Sequence, residues 1–283
     1  VRYLEKGVNF SYPPALHPFI RESFMSVITS SLESAIATLT LNNPKRRNAL
    51  SSELIDALLT ALSKAETGGA HVVVLRATKD AKIWSAGHDI DELPEGGRDP
   101  LGWDDPLRNL VRSIENCPIP VIAMIEGGVW GGACEVVLAC DIVIAAPSAT
   151  FAITPARLGV PYNVSGMMTF MNNLGLHVLK EMAFTALPIS AERALQVGIV
   201  NHVIPATEVE AFTYEIAHAI ARNAPLSIRV MKEQLRVLSG AHPLTPRGFE
   251  KVQGLRRTVY DSNDYREGIR AFKEKREPKF TGS

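Results

Sequence analysis

Two glycine-containing stretches carry the residues best suited to do chemistry: GGVWGGACE at residues 127–135 and WSAGHDI at residues 84–90. The first follows the apolar run PVIAMIEG and turns through glycine into a helical pattern. Unpaired backbone N–H groups therefore collect at a helix N-terminus, where the helix dipole is positive and a developing anion is favoured. The same glycines also permit a helix to pack closely, and this stretch by itself leaves both uses open. Phosphate cradling by known loops is improbable. No lysine or hydroxyl follows the glycines as Gly-x-x-x-x-Gly-Lys-Ser/Thr requires, and Gly-x-Gly-x-x-Gly is absent from the stretch. The second stretch follows another short apolar run, and it adds a second donor. Two N–H groups, one from each strand end, can grip a single oxygen as an oxyanion hole.

The elements that position these stretches follow from the pattern around them. Residues 36–41 read as a strand ended by the turn Asn42-Asn43-Pro44. A helix begins near Ser51, a favourable N-cap, and carries Leu54, Ile55, Leu58, Leu59 and Leu62 on one stripe. Residues 72–75 and 121–125 are fully apolar strands, residues 131–140 a helix, and residues 142–145 a further strand. Strands without polar alternation, separated by helices, predict parallel strands covered by helices, an α/β architecture. After about residue 175 the pattern is mostly helical. Helices are predicted from Ser190, over residues 208–222 and 225–238, and over a charged segment at 264–276 ended by Pro278.

Composition bounds the function. The chain has 283 residues, 46% hydrophobic and 21% charged, enough to bury a sizeable core. Thirty basic residues balance thirty acidic ones, which removes the positive field that draws proteins to nucleic acid or anionic membranes and fits a small ligand held locally. Cys117, Cys134 and Cys140 form no Cys-x-x-Cys pair and sit among apolar residues, so a reducing compartment, the cytoplasm, is expected. No apolar run approaches the roughly 20 residues of a membrane helix, and no compact signal-peptide block opens the chain. Residues 1–24, with prolines and scattered aromatics, read as an extension of unknown role. The seven histidines form no metal-ligand cluster with carboxylates or cysteines.

SAGHDI and VWGGACE, with NNPKRRNAL upstream, resemble the crotonase (enoyl-CoA hydratase/isomerase) superfamily. The likeness continues through residues 148–163, ISAERALQVGIVNHV and AFKEKREPKF, over roughly residues 27 to 280. Within it, HDIDELPEGGRDPL, VWGGA, LGVPYN, RRTVYDS and EKR together look like the methylmalonyl-CoA decarboxylase branch. The resemblance implies a crotonase-like spiral of ββα repeats over residues 25–215 and a helical C-terminal trimerisation region over 216–283. It implies an oxyanion hole made by the N–H groups of His88 and Gly132, which would hold the enolate oxygen of a CoA thioester; the His88 ring could also touch a substrate carboxylate. Glu135 matches the first of the two glutamates by which hydratases of the superfamily deliver and accept a proton. The second position is occupied by Ala156, which disfavours hydration. Tyr162 matches the residue that orients the substrate carboxylate; the lesser alternative is a rim tyrosine with its ring packed and its hydroxyl in water. Glu135 could equally be a helix-terminal carboxylate held by backbone N–H groups.

The expected reaction is decarboxylation of methylmalonyl-CoA to propionyl-CoA. The alternatives are another acyl-CoA reaction of the superfamily (hydration, isomerisation or thioester hydrolysis) and a non-catalytic acyl-CoA-binding protein. For binding, the resemblance points to Lys45, Arg46 and Arg47 along the pantetheine and phosphates, and to the segment Ala86, Gly87, His88, Asp89 and Ile90 around the CoA. Thr154 would line the acyl pocket or cap a turn. Phe272 and Lys275 would reach the nucleotide from a neighbouring subunit, which implies a homotrimer or homohexamer, although a solvated terminal helix explains Lys275 as well. No cofactor, metal or biotin is needed, because CoA belongs to the substrate.

Overall fold

The computed structural model describes residues 26–94, 99, 101–239 and 246–281. The extension expected over residues 1–24 lies outside the described residues. The chain opens with a hairpin of β1 (Ile28–Glu33) and β2 (Ile36–Leu41), joined by Ser34 and Ala35. Both have positive φ, +49° and +63°, the handedness a two-residue hairpin turn requires. α1 (Ser52–Thr67) follows. Its cap is the expected Ser51, whose Oγ accepts from the Leu54 amide at 3.3 Å.

Three repeats then place a sheet strand, a short second strand and a helix in turn. They are β3 (Val72–Ala77), β4 (Ile83–Ser85) and α2 (Pro106–Glu115); β5 (Val121–Ile125), β6 (Gly128–Trp130) and α3 (Gly132–Ala139); and β7 (Ile142–Ala145), β8 (Thr150–Ala152) and α4 (Val164–Asn173). The remainder comprises α5 (Leu176–Thr185), β9 (Ile189–Ser190), α6 (Ala191–Gln196), β10 (His202–Val203), α7 (Val209–Ala221), α8 (Pro225–Ser239), α9 (Pro246–Tyr260) and α10 (Asn263–Lys273). Among the described residues no helix is long and apolar enough to cross a membrane.

The long strands form one sheet in the order β1-β2-β3-β5-β7-β10, and the short ones a second in the order β4-β6-β8-β9. From β2 to β10 every pairing in the first sheet is parallel, as the unbroken apolar runs predicted. The reason is visible in β3. Val73 and Leu75 enter the core shared with α1 and α2, whereas Val72 and Val74 enter a separate cluster with Val209 and Ala217 of α7. Successive side chains point to opposite faces and both faces are covered, so residues 72–75 show no polar alternation; the charged residue of the strand, Arg76, is buried and pairs with Glu126 and Glu210.

Candidate active site

β4 and β6 are parallel neighbours, paired at Ile83↔Gly128 and Ser85↔Val129, so their C-terminal ends lie side by side. One continues into Ala86-Gly87-His88, the other into Gly131-Gly132 at the start of α3. The approach is closest at the glycines. A Cβ on Gly87, whose φ is +86°, would lie 2.4 Å from the Trp130 carbonyl oxygen and 2.8 Å from the Gly132 nitrogen. A Cβ on Gly132 would lie 3.5 Å from the His88 nitrogen. Only glycine fits at position 87, and the two backbone nitrogens expected to act together are neighbours. Gly131 turns the chain at φ +56°, and its own N–H is spent on the Ala152 carbonyl at 2.8 Å.

The stretch NNPKRRNAL buttresses the first of these segments from behind. Asn48 is fully buried; its Nδ2 donates to the Trp84 carbonyl at 2.9 Å, and its Oδ1 accepts from the Asn43 amide at 2.8 Å. Ser85 Oγ donates to the Asn48 carbonyl at 2.7 Å, the Ala86 amide to the Arg47 carbonyl, and the Leu50 amide to the Gly87 carbonyl. Lys45 and Arg47 are exposed on this turn. Asp89 is buried, caps the turn of residues 90–92 and pairs with Arg46 at 2.9 Å.

A cavity of about 60 Å³ opens where the two segments meet, bounded by Ala86, His88, Ile90, Gly132, Thr154 and Tyr162, with Leu93, Leu101 and Leu107 among its apolar wall. His88 Nε2 lies 3.1 Å from Asp105 Oδ2, and Nδ1 lies 3.1 Å from the Asp89 carbonyl oxygen. Both partners are acceptors, so the two contacts together favour the protonated over the neutral ring. Burial alone lowers the His88 pKa; the hydrogen bond and charge of Asp105 outweigh it, and the net shift is upward. Asp105 is held in turn as the N-cap of α2, accepting from the Leu107 and Arg108 amides.

Tyr162 is buried with its ring edge against Phe170, centroids 5.1 Å apart, and its hydroxyl has no hydrogen-bond partner among the described residues. Burial pushes the phenol pKa up, with the Cys134 thiol adding to the shift and Arg108 opposing it, so the group is a neutral O–H donor. An unmade bond at such a depth is costly unless something else accepts it.

Glu135 behaves differently. It is 1% exposed, lies outside the cavity lining, and forms an ion pair with Arg108, itself 3% exposed. Ala156 is exposed and faces a second cleft toward α9 and α10. Among the described residues, therefore, no pair of carboxylates faces the cavity. Phe272 and Lys275 lie exposed at the end of α10 and outside the cavity lining. Arg108 and Asp105 went unread in the sequence. Asp105-Pro106 is a helix-start signal that locates α2, but nothing local announces that Arg108 meets Glu135.

The chain matches the enoyl-CoA hydratase/isomerase family model over residues 31–283. It belongs to that family. It is 49% identical to methylmalonyl-CoA decarboxylase of Escherichia coli (strain K12), over 92% of this chain and 98% of that one. Two solved structures of a family member are similar at the level of the whole fold. Methylmalonyl-CoA decarboxylase complexed with 2S-carboxypropyl CoA aligns with a TM-score of 0.90 at 49% identity, covering 92% of this chain and 99% of that one. The same enzyme in complex with 2-nitronate-propionyl-CoA aligns at 0.89 and 49% identity, covering 91% and 99%. The mixed α/β spiral with a helical C-terminal region is thus the family's fold.

Proposed function

We propose that the chain decarboxylates methylmalonyl-CoA to propionyl-CoA, and that one observation carries this reading: a buried, unpaired Tyr162 hydroxyl lines the same cavity as His88 and Gly132. The thioester carbonyl oxygen accepts from the N–H groups of His88 and Gly132. Tyr162 donates to the substrate carboxylate and holds it across the thioester plane. The bond between the α-carbon and the carboxylate carbon breaks, carbon dioxide leaves, and the electron pair passes into an enolate whose oxygen the two N–H groups stabilise. A solvent proton then bonds to the α-carbon. A neutral phenol suits this step, because a cation would bind the ground-state carboxylate tightly and lose that attraction as its charge departs.

The ion-paired Glu135 and the alanine at position 156 leave hydration without its two carboxylates. Lys45, Arg47, Ala86, Gly87, Asp89, Ile90 and Thr154 are assigned to the CoA and acyl group, the first two as exposed cations beside the His88 segment. The assembly is read as a homotrimer or homohexamer. Its support is the exposed apolar stripe of Leu226, Val230, Met231, Leu235 and Leu238 on α8, with exposed Phe272 and Lys275 available to a neighbour. The free, buried cysteines suit the cytoplasm.

Incubation of the purified protein with methylmalonyl-CoA, malonyl-CoA and crotonyl-CoA tests the reaction. Propionyl-CoA and carbon dioxide are expected from the first. Hydration of crotonyl-CoA without carbon dioxide release from either diacid thioester would overturn the proposal.

A further inference from the structure

The motif RRTVYDS at residues 256–262 has no contact with the cavity, yet it contains a buried arginine. Arg256 is 4% exposed, although its neighbour Arg257 is exposed. A charged side chain held in the interior needs partners, and those of Arg256 lead in two directions that converge on one residue.

In the first, Arg256 Nη2 donates to the Tyr260 hydroxyl at 2.9 Å, and that hydroxyl donates to the Pro161 carbonyl at 3.0 Å. In the second, Arg256 Nη2 donates to Asp99 Oδ1 at 2.6 Å, and the same oxygen accepts from the Leu101 amide at 2.9 Å. The Leu101 carbonyl accepts from Asn163 Nδ2 at 2.8 Å. Pro161 and Asn163 flank Tyr162. The residues on both sides of the cavity tyrosine, Pro161 by its carbonyl and Asn163 by its side chain, are therefore tied, through two separate chains of hydrogen bonds, to one guanidinium on α9.

The geometry points to Arg256 as the positioning residue of Tyr162, acting through Tyr260 and Asp99; this rests on the carboxylate-orienting role given to Tyr162 above. The physical need is plain. The Tyr162 hydroxyl has no partner among the described residues to fix it, so what these residues contribute to its direction is ring packing and the backbone that carries the ring. A displacement of about 1 Å at a positioning group can cost a hundredfold in rate. The network also spans the two sides of the cavity wall, because Leu101 lines the cavity with Tyr162. Nη1 of the same guanidinium donates to Gln253 Oε1 at 2.9 Å, so both terminal nitrogens of Arg256 are anchored, and linked polar chains of this kind hold a geometry rigidly.

The test combines kinetics with a direct reading of the Tyr162 ring. Arg256→Met and Tyr260→Phe are each made in the wild-type and Tyr162→Phe backgrounds; the second removes a single oxygen and preserves the ring should the first fail to fold. Arg257→Met serves as the exposed control. With the tyrosines labelled with carbon-13 at Cζ, the Tyr162 resonance is the one lost in Tyr162→Phe. Arg256→Met and Tyr260→Phe are expected to shift or broaden that resonance and to lower kcat by about tenfold or more, with propionyl-CoA affinity changed less than about twofold. In the Tyr162→Phe background they are expected to cost less than about twofold, the non-additivity of residues acting through one another. An unmoved Tyr162 resonance, or equal losses in both backgrounds, would overturn the proposal. A displaced resonance with full activity in Tyr162→Phe would uphold the link to Arg256 and instead refute the role given to Tyr162.

Discussion

Replacing Glu135 by glutamine separates a structural from a chemical use of this carboxylate. Glu135 and Arg108 are 1% and 3% exposed, so removing one charge strands the other in the interior. Breaking such a pair costs about 3–5 kcal/mol, a large part of the roughly 5–15 kcal/mol by which a folded domain is stable. At about 2–4 °C per kcal/mol for a chain of this size, Glu135→Gln is expected to melt roughly 6–20 °C below wild type. Arg108→Met should be milder, because a stranded carboxyl can shed its charge by binding a proton and a guanidinium cannot. The double variant Glu135→Gln/Arg108→Met should recover most of the loss, since an apolar replacement of a buried pair is often neutral. Thermal unfolding followed by circular dichroism measures all three. Carbon dioxide release assayed well below each midpoint should fall by less than about tenfold, well short of the 100- to 10,000-fold that loss of an acid–base group costs. An unchanged midpoint together with turnover abolished in Glu135→Gln would refute this reasoning and make Glu135 a proton-transfer group.

Other substitutions probe the rest of the site. Gly87→Ala puts a Cβ 2.4 Å from the Trp130 carbonyl oxygen at a φ of +86°, so at least a hundredfold loss in kcat/KM, about what one oxyanion donor is worth, is expected. Gly132→Ala meets only the Leu107 Cδ2 methyl at 2.5 Å, which can rotate, and should be milder; the reverse order in a kinetic assay would contradict the geometry. Asn48→Ala leaves the Trp84 carbonyl and the Asn43 amide without their partner, and denaturant unfolding should register a loss of roughly 1–3 kcal/mol. The folded-state pKa of His88 lies above its ordinary value. Its stabilising contribution is therefore complete below the unfolded pKa and is lost as pH rises through the folded one. Asp105→Asn retains the α2 cap while removing the charge, so it should flatten that part of the melting-temperature profile and lower the His88 titration midpoint measured by NMR.

The parts of this molecule legible in its sequence are those where a local pattern is the physical cause. β5, β7 and residues 72–75 of β3 are apolar on both faces because both are covered, and Ser51 and Ser190 announce helices by the hydroxyls that cap them. Gly87 is likewise visible, since a Cβ is excluded where two strand ends meet, and Gly132 follows it across that approach. β4 and β6 are three residues each, too short to show any period, and they are strands only because β4 pairs with β6 and β6 with β8. α9 is polar in sequence, which hides the buried face carrying Arg256 and Tyr260. The same reason hides Arg108: a charged residue in a helical pattern reads as a solvated face, and only the fold brings Glu135 to it. The donors that could hold an enolate are thus written locally as glycines, whereas the groups that neutralise Glu135 and frame Tyr162 are contacts between distant segments. If the proposed roles hold, conversion between hydration and decarboxylation requires changes at Arg108 and Arg256 as well as at positions 156 and 162. Exchanging residues 156 and 162 alone should not convert one activity into the other while Glu135 stays paired with Arg108.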